Sequence, residues 1–172
     1  MRPPVDADRV RALARELAAA AGGPTTVYLT GGATAVIEGW RESTVDVDLR
    51  LEPDSDALLR KIAEVKDQLD INVELVSPPD FVPELPGWRE RSPFVFAEGD
   101  ITVRHFDPYS QALAKVARGF DQDLLDVEAM VARGLVDSER LLELFAEVES
   151  QLFRYPAINA DPLRVQVRRA FG

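Results

Sequence analysis

The segment Thr44 to Leu51, TVDVDLRL, constrains this chain more than any other. Val45, Val47, Leu49 and Leu51 alternate with Asp46, Asp48 and Arg50. Successive side chains on a β-strand point to opposite sides, so the pattern predicts a half-buried strand with its apolar face on a core. Asp46 and Asp48 then project together from the other face. Carboxylates this close repel, and beside a core they are costly without a cation. A hard divalent ion such as Mg²⁺, which takes oxygen ligands, removes that conflict. An ordinary solvent-facing polar strand is the plainer account, since such faces are common; the surrounding residues favour the first.

Thr25 to Thr30, TTVYLT, is β-branched and aromatic and predicts a strand, followed by Gly31-Gly32 and a short apolar helix, Ala33 to Glu38. At such a strand-to-helix junction, backbone N–H groups can receive phosphate oxygens, and glycine lets a ligand come close. Thirteen residues, 33–45, separate Gly32 from Asp46. That is room for one short helix and a connection, enough to return the second strand beside the first. A phosphate cradle and a pair of carboxylates would then meet at neighbouring strand ends. A third strand, Ile71 to Val76, carries Glu74 with Asn72 on the same face. Glu74 is the candidate third acid, for metal binding or as general base, with Asp70 as the alternative.

Helical spacing predicts helices over about residues 6–21, 58–69, 109–118, 124–133 and 141–152, and Glu98-Gly99-Asp100 predicts a hairpin between residues 94–97 and 101–106. The expected architecture is α/β (α+β): a mixed sheet with helices packed on it and a helical C-terminal part. Residues 1–107 would form the core and 108–172 the helical part, packed as one unit. Residues 77–93 hold five prolines (Pro78, Pro79, Pro83, Pro86 and Pro93), marking a long covering or functional loop.

Composition narrows the chemistry. Cysteine is absent, which excludes disulfides, thiolate nucleophiles and Cys-ligated zinc. His105 is the single histidine, which excludes multi-histidine metal sites. The net charge of −10 argues against a nonspecific nucleic-acid coat. No stretch approaches a membrane span, and charges interrupt the N-terminal apolar residues, so a cytoplasmic location without membrane contact is expected.

Residues 28–49, YLTGGATAVIEGWRESTVDVDL, resemble the signature of the DNA-polymerase-β-like nucleotidyltransferase superfamily: a hydrophobic strand, a Gly-Gly or Gly-Ser pair, a spacer, then Asp-x-Asp. Lys115 to Val127, KVARGFDQDLLDV, is similar to a segment of the AbiEii-like branch, whose members include nucleotidyltransferase toxins of toxin–antitoxin systems. The resemblance implies an NTP as donor, one or two Mg²⁺ ions, an RNA (tRNA-like) or protein acceptor, and a cognate toxin or antitoxin protein as partner. It implies that Thr30, Gly31, Gly32 and Ser43 bind nucleotide, with Lys115 and Arg118 on the donor phosphates. Asp46, Asp48 and Glu74 would hold metal. Lys115 and Asp123 would complete the catalytic set, with Asp126 beside Asp123. The branch commonly has lysine where this chain has Gln122.

Other residues take plainer expectations. His105 is structural, lacking a second imidazole to work with. Trp88 pins the proline-rich loop rather than stacking a base. Arg89 and Arg91 are available to an acceptor or a triphosphate. Arg164, Arg168 and Arg169 form a basic C-terminal end that suits an RNA or acidic partner, or a solvated helix face.

Overall fold

The computed structural model describes residues 2–172. They divide into two compact units, residues 2–77 with 93–105, and residues 78–92 with 106–172.

The first unit is a five-stranded mixed sheet with helices. Helix α1 (Ala7–Ala20) starts at Asp6, whose side chain accepts from the Arg9 amide, and buries Val10, Leu13, Ala14 and Leu17. Strand β1 (Thr25–Thr30) leads into helix α2 (Gly32–Glu38), then strand β2 (Asp46–Glu52). Helix α3 (Asp56–Gln68), capped by Ser55, precedes strand β3 (Asn72–Glu74), and the hairpin of β4 (Phe94–Glu98) and β5 (Ile101–His105) completes the sheet. The strand order is β3-β2-β1-β5-β4. β1 is antiparallel to β2 and parallel to β5, β2 is parallel to β3, and β4 is antiparallel to β5.

β2 shows the alternation that its sequence requires: Val47, Leu49 and Leu51 are buried, while Asp46, Asp48 and Arg50 are half-buried. The buried set joins Val27, Leu29, Val73, Ile101 and Val103 from the neighbouring strands and Leu13, Leu17, Leu58, Ile62 and Val65 from α1 and α3 in one core. Each such side chain contributes about 1.5–3 kcal/mol through burial.

Two sequence expectations change at the strand ends. Val45, expected on the core face, lies outside the strand and is 69% exposed. Its neighbour Thr44 exchanges backbone hydrogen bonds with Val5 instead, at 2.8 and 2.9 Å, and this N-terminal bridge sets where β2 begins. β3 is three residues long rather than six, and Leu75 is exposed. Pro78 and Pro79, which carry no N–H, follow soon after and end any further pairing.

The second unit is helical. A 3₁₀ turn (Pro78–Asp80) opens residues 78–92, and helices α4 (Pro108–Arg118), α5 (Asp121–Ala132), α6 (Ser138–Val148) and α7 (Ala160–Phe171) follow. A second 3₁₀ segment (Glu149–Arg154) joins α6 towards α7. The basic C-terminal end is helix α7, which buries Leu163, Val167 and Phe171 along one stripe.

The proline-rich loop is pinned as expected. Trp88 is 2% exposed and stacks on Phe106 with ring centroids 4.3 Å apart and planes 7° from parallel. Arg91 grips Asp107 through two hydrogen bonds, at 3.1 and 2.7 Å, and also donates to the Pro86 carbonyl. Asp107 in turn accepts from the Tyr109 amide and the Ser110 hydroxyl, so it caps α4 and anchors the loop at once. Asp107→Ala removes both the α4 cap and the buried acceptor of the half-buried Arg91 guanidinium, and should cost about 2–4 kcal/mol in urea unfolding followed by circular dichroism. A loss under about 1 kcal/mol would show that the pair carries no anchoring role.

Candidate active site

The glycine turn is built by backbone geometry. Gly31 has φ +60° and ψ −130°, a conformation that side chains resist, and a Cβ there would come within 3.2 Å of Asp48 Oδ2. At Gly32 a Cβ would overlap Thr44 Oγ1 and lie 2.7 Å from Thr44 Cβ. Gly31 is thus required by its positive φ and Gly32 by the close approach of Thr44, two residues before the strand that bears the carboxylates. The pairing register explains why, because Thr30, the last residue of β1, lies opposite Asp48.

The carboxylates form a row on one face of the sheet. Asp46 and Asp48 are two apart on β2, and the parallel register sets Asn72 beside Asp46 and Glu74 beside Asp48. Asn72 Nδ2 donates to Asp46 Oδ1 at 2.6 Å and to Glu74 Oε1 at 3.3 Å, so one amide ties two of the three acids. Asp70, the alternative third acid, sits in a left-handed turn (φ +51°) before β3, 3.8 Å from the Arg2 guanidinium. Arg2 and Arg9 also donate to carbonyls at the end of α3 and the start of β3, Lys66, Leu69, Asp70 and Ile71 among them.

Among the described residues no group of three or more acidic or histidine side chains is gathered closely enough to hold a metal ion alone. The donor set still suits Mg²⁺, which is commonly held by one or two carboxylates with substrate phosphates completing its shell rather than by an all-protein cage. Asp46 and Asp48, hard oxygen donors of one strand face beside a glycine turn, meet that description.

The structure adds Arg41, which the sequence reading missed. Gly39 ends α2 in the left-handed conformation (φ +91°), and the amides of Gly39, Trp40 and Arg41 all converge on the Ala35 carbonyl, at 3.0, 3.1 and 3.3 Å. This reversal carries the Arg41 guanidinium back to the turn, where its Nη1 would be 3.2 Å from a Cβ on Gly32. The available signal was a lone arginine in the 33–45 spacer. Ser43, assigned to nucleotide binding by resemblance, is exposed in the same connection, and Thr30 is buried at the end of β1.

His105, the last residue of β5, is 2% exposed. Its Nδ1 lies 3.0 Å from Thr34 Oγ1 and its Nε2 2.8 Å from Glu38 Oε1. Burial lowers its pKa below the ordinary 6.5, and the Glu38 carboxylate partly offsets this. The folded protein thus favours the neutral ring. The resulting stability is fully present above about pH 6.5 and is lost as pH falls through the depressed folded-state pKa, with a slope of at most about 1.4 kcal/mol per pH unit. Urea midpoints of the wild type should therefore fall more steeply between pH 7.5 and 5.5 than those of His105→Gln; parallel curves would contradict this assignment.

Within the second unit, the residues singled out by the AbiEii-like segment are brought together. Lys115 Nζ, 7% exposed as a residue, donates to Asp126 Oδ2 at 2.7 Å and lies 3.8 Å from Asp123 Oδ1. Arg118 donates twice to Asp123, at 3.1 and 3.0 Å, and Asp123 also accepts from the Phe120 amide at the start of α5. Gln122, where the branch has lysine, donates to Asp126 Oδ1 at 3.1 Å. Asp123 and Asp126 are almost wholly buried, so these contacts satisfy charges that would otherwise be costly inside the helical unit. Arg89 lies over the Trp88 ring at 4.3 Å. Arg164 is held by Glu149 and Asp161, while Arg168 and Arg169 are exposed on α7.

A family model described as "Nucleotidyltransferase of unknown function (DUF6036)" matches residues 8–165. The chain belongs to this family. The match spans residues of both units, from α1 into α7. No curated protein and no solved structure matches this DUF6036 chain significantly. Among its described residues no helix is long and apolar enough to cross a membrane.

Proposed function

We propose that this chain is a Mg²⁺-dependent nucleotidyltransferase, moving an NMP from an NTP to an acceptor hydroxyl on an RNA end or a protein. The observation that carries this reading is the nearness of Gly31 to Asp48, in a row of acids that includes Asp46 and Glu74. The bond that forms joins the acceptor oxygen to the α-phosphorus; the one that breaks releases pyrophosphate. The turn offers close backbone approach to the polyphosphate, and the Arg41 guanidinium beside Gly32 adds positive charge where the leaving group gathers negative charge. Asp46 and Asp48 would hold Mg²⁺, which when bound neutralises phosphate charge and orients the reacting oxygens. Glu74, exposed on β3, is suited to take the proton from the acceptor hydroxyl. Positioning supplies much of the rate in such chemistry. The similarity of Lys115 to Val127 to the AbiEii-like branch supports a toxin–antitoxin setting, with a cognate protein as partner.

One observation favours a second reading, a non-catalytic or antitoxin-like binding component of the same fold. Lys115, which the resemblance assigns to donor phosphates, is already matched by buried Asp126 and Asp123.

The test is label transfer from each α-labelled NTP, with Mg²⁺ and total RNA or a co-purified partner protein. Asp46→Asn and Asp48→Asn should each reduce transfer by about 100-fold or more while leaving the fold intact by circular dichroism. Transfer that persists undiminished in both variants refutes the assignment. Absence of transfer from the wild type, with a partner retained through surface residues, supports the binding reading.

A further inference from the structure

We infer that His105 is a positioning residue for the glycine turn, holding α2 through the Thr34 hydroxyl at Nδ1 and the Glu38 carboxylate packed beside Nε2, so that Gly31 and Gly32 stay close to the acid-bearing strand. The inference rests on the nucleotidyltransferase reading.

Its basis is the geometry of α2. The helix has seven residues, far too few for independent stability, so its placement comes from tertiary contacts. Thr34 and Glu38 are four apart and share a helix face. His105 meets both, Thr34 through Nδ1 at 3.0 Å and Glu38 through Nε2 at 2.8 Å. The ring itself is fixed by the sheet, since His105 pairs in parallel register with Leu29, two residues before Gly31. The Leu29 carbonyl, 3.3 Å from the Thr34 hydroxyl, is an alternative acceptor for the same single hydrogen, so the hydroxyl stays close to β1 whichever partner it donates to. A rigid group on β5 thus sets the position of the segment that immediately follows the turn.

The chemistry of the ring suits this task. A neutral imidazole donates at one nitrogen and accepts at the other. With its hydrogen on Nε2, Nδ1 accepts from the Thr34 hydroxyl, and the Nε2 edge meets the Glu38 carboxylate in a 2.8 Å charge contact that lies off the line of a hydrogen bond. Ile101 and Val103 occupy the same face of β5 and are fully apolar and buried. A further apolar residue at 105 would fill the core but would fix neither Thr34 nor Glu38 in direction.

Calorimetry with Mg²⁺ and each NTP, and with inorganic triphosphate, tests this on the full chain. Thr34→Val removes the hydroxyl at nearly constant shape, Thr34→Ser restores it, and Glu38→Gln removes the carboxylate charge at a partly exposed site. Thr34→Val and Glu38→Gln should weaken nucleotide and triphosphate binding by about tenfold or more, because small misplacements of a binding group are amplified. Thr34→Ser should recover most of that loss. In turnover, KM for the NTP should rise while kcat at saturation changes less than KM. Glu38→Gln, partly exposed, keeps the comparison valid if Thr34→Val fails to fold. Wild-type affinity in both the Val and Gln variants overturns the inference and leaves the transferase reading standing. A wild type that binds none of the NTPs removes that reading and the inference with it.

Discussion

The pairing of β1 with β2 is the constraint on which the rest of the first unit depends. Thr30 lies opposite Asp48, and the chain turns at the next residue. A slip of one residue would invert the strand, sending Asp46 and Asp48 into the core and Val47, Leu49 and Leu51 to the polar face. Burying two unmatched carboxylates costs several kcal/mol each, and the exposed aliphatic side chains forfeit their burial as well. The hydrophobic core therefore enforces the alignment of the acids with the turn. Stability and candidate site share one register, and no separate device is needed to bring the phosphate-facing backbone to the carboxylates.

Much of this was legible before any coordinates. The sheet strands TTVYLT and TVDVDLRL announce themselves by β-branching and alternation, and Asp107-Pro108 marks the start of α4 by capping chemistry. Gly31, Gly32, Asp46 and Asp48 come together because the spacer between them fits one short helix. Other features were hidden for physical reasons. β3 is too short to show a period, and Val45 carries the alternation one residue past the strand because the bridge to Val5 is nonlocal. Arg41 depends on a left-handed glycine and on amides folding back to a single carbonyl, which no periodicity reports. The Thr34–His105–Glu38 set spans residues far apart in sequence, with only the four-residue spacing of Thr34 and Glu38 visible beforehand. α7 carries its apolar side chains as a narrow stripe among arginines and polar residues.

The second unit puts the AbiEii-like segment in physical terms. Lys115, Arg118, Gln122, Asp123 and Asp126 knit the end of α4 to the start of α5 through charge-assisted hydrogen bonds. Networks of this kind are costly to break one member at a time, whatever else they do. Motif likeness and helix-joint chemistry draw on the same side chains here.

β3 lies at the margin of the sheet and is only three residues long. So brief a border offers little backbone for another chain to template upon, which lowers the hazard of sheet-to-sheet aggregation. It also leaves Glu74 with fewer ladder bonds behind it than Asp48 has. Where Asp48 is paired on both sides, with Thr30 and Glu74, Glu74 has a neighbour on one side alone and can follow an incoming group by local fraying, at the expense of very few backbone links.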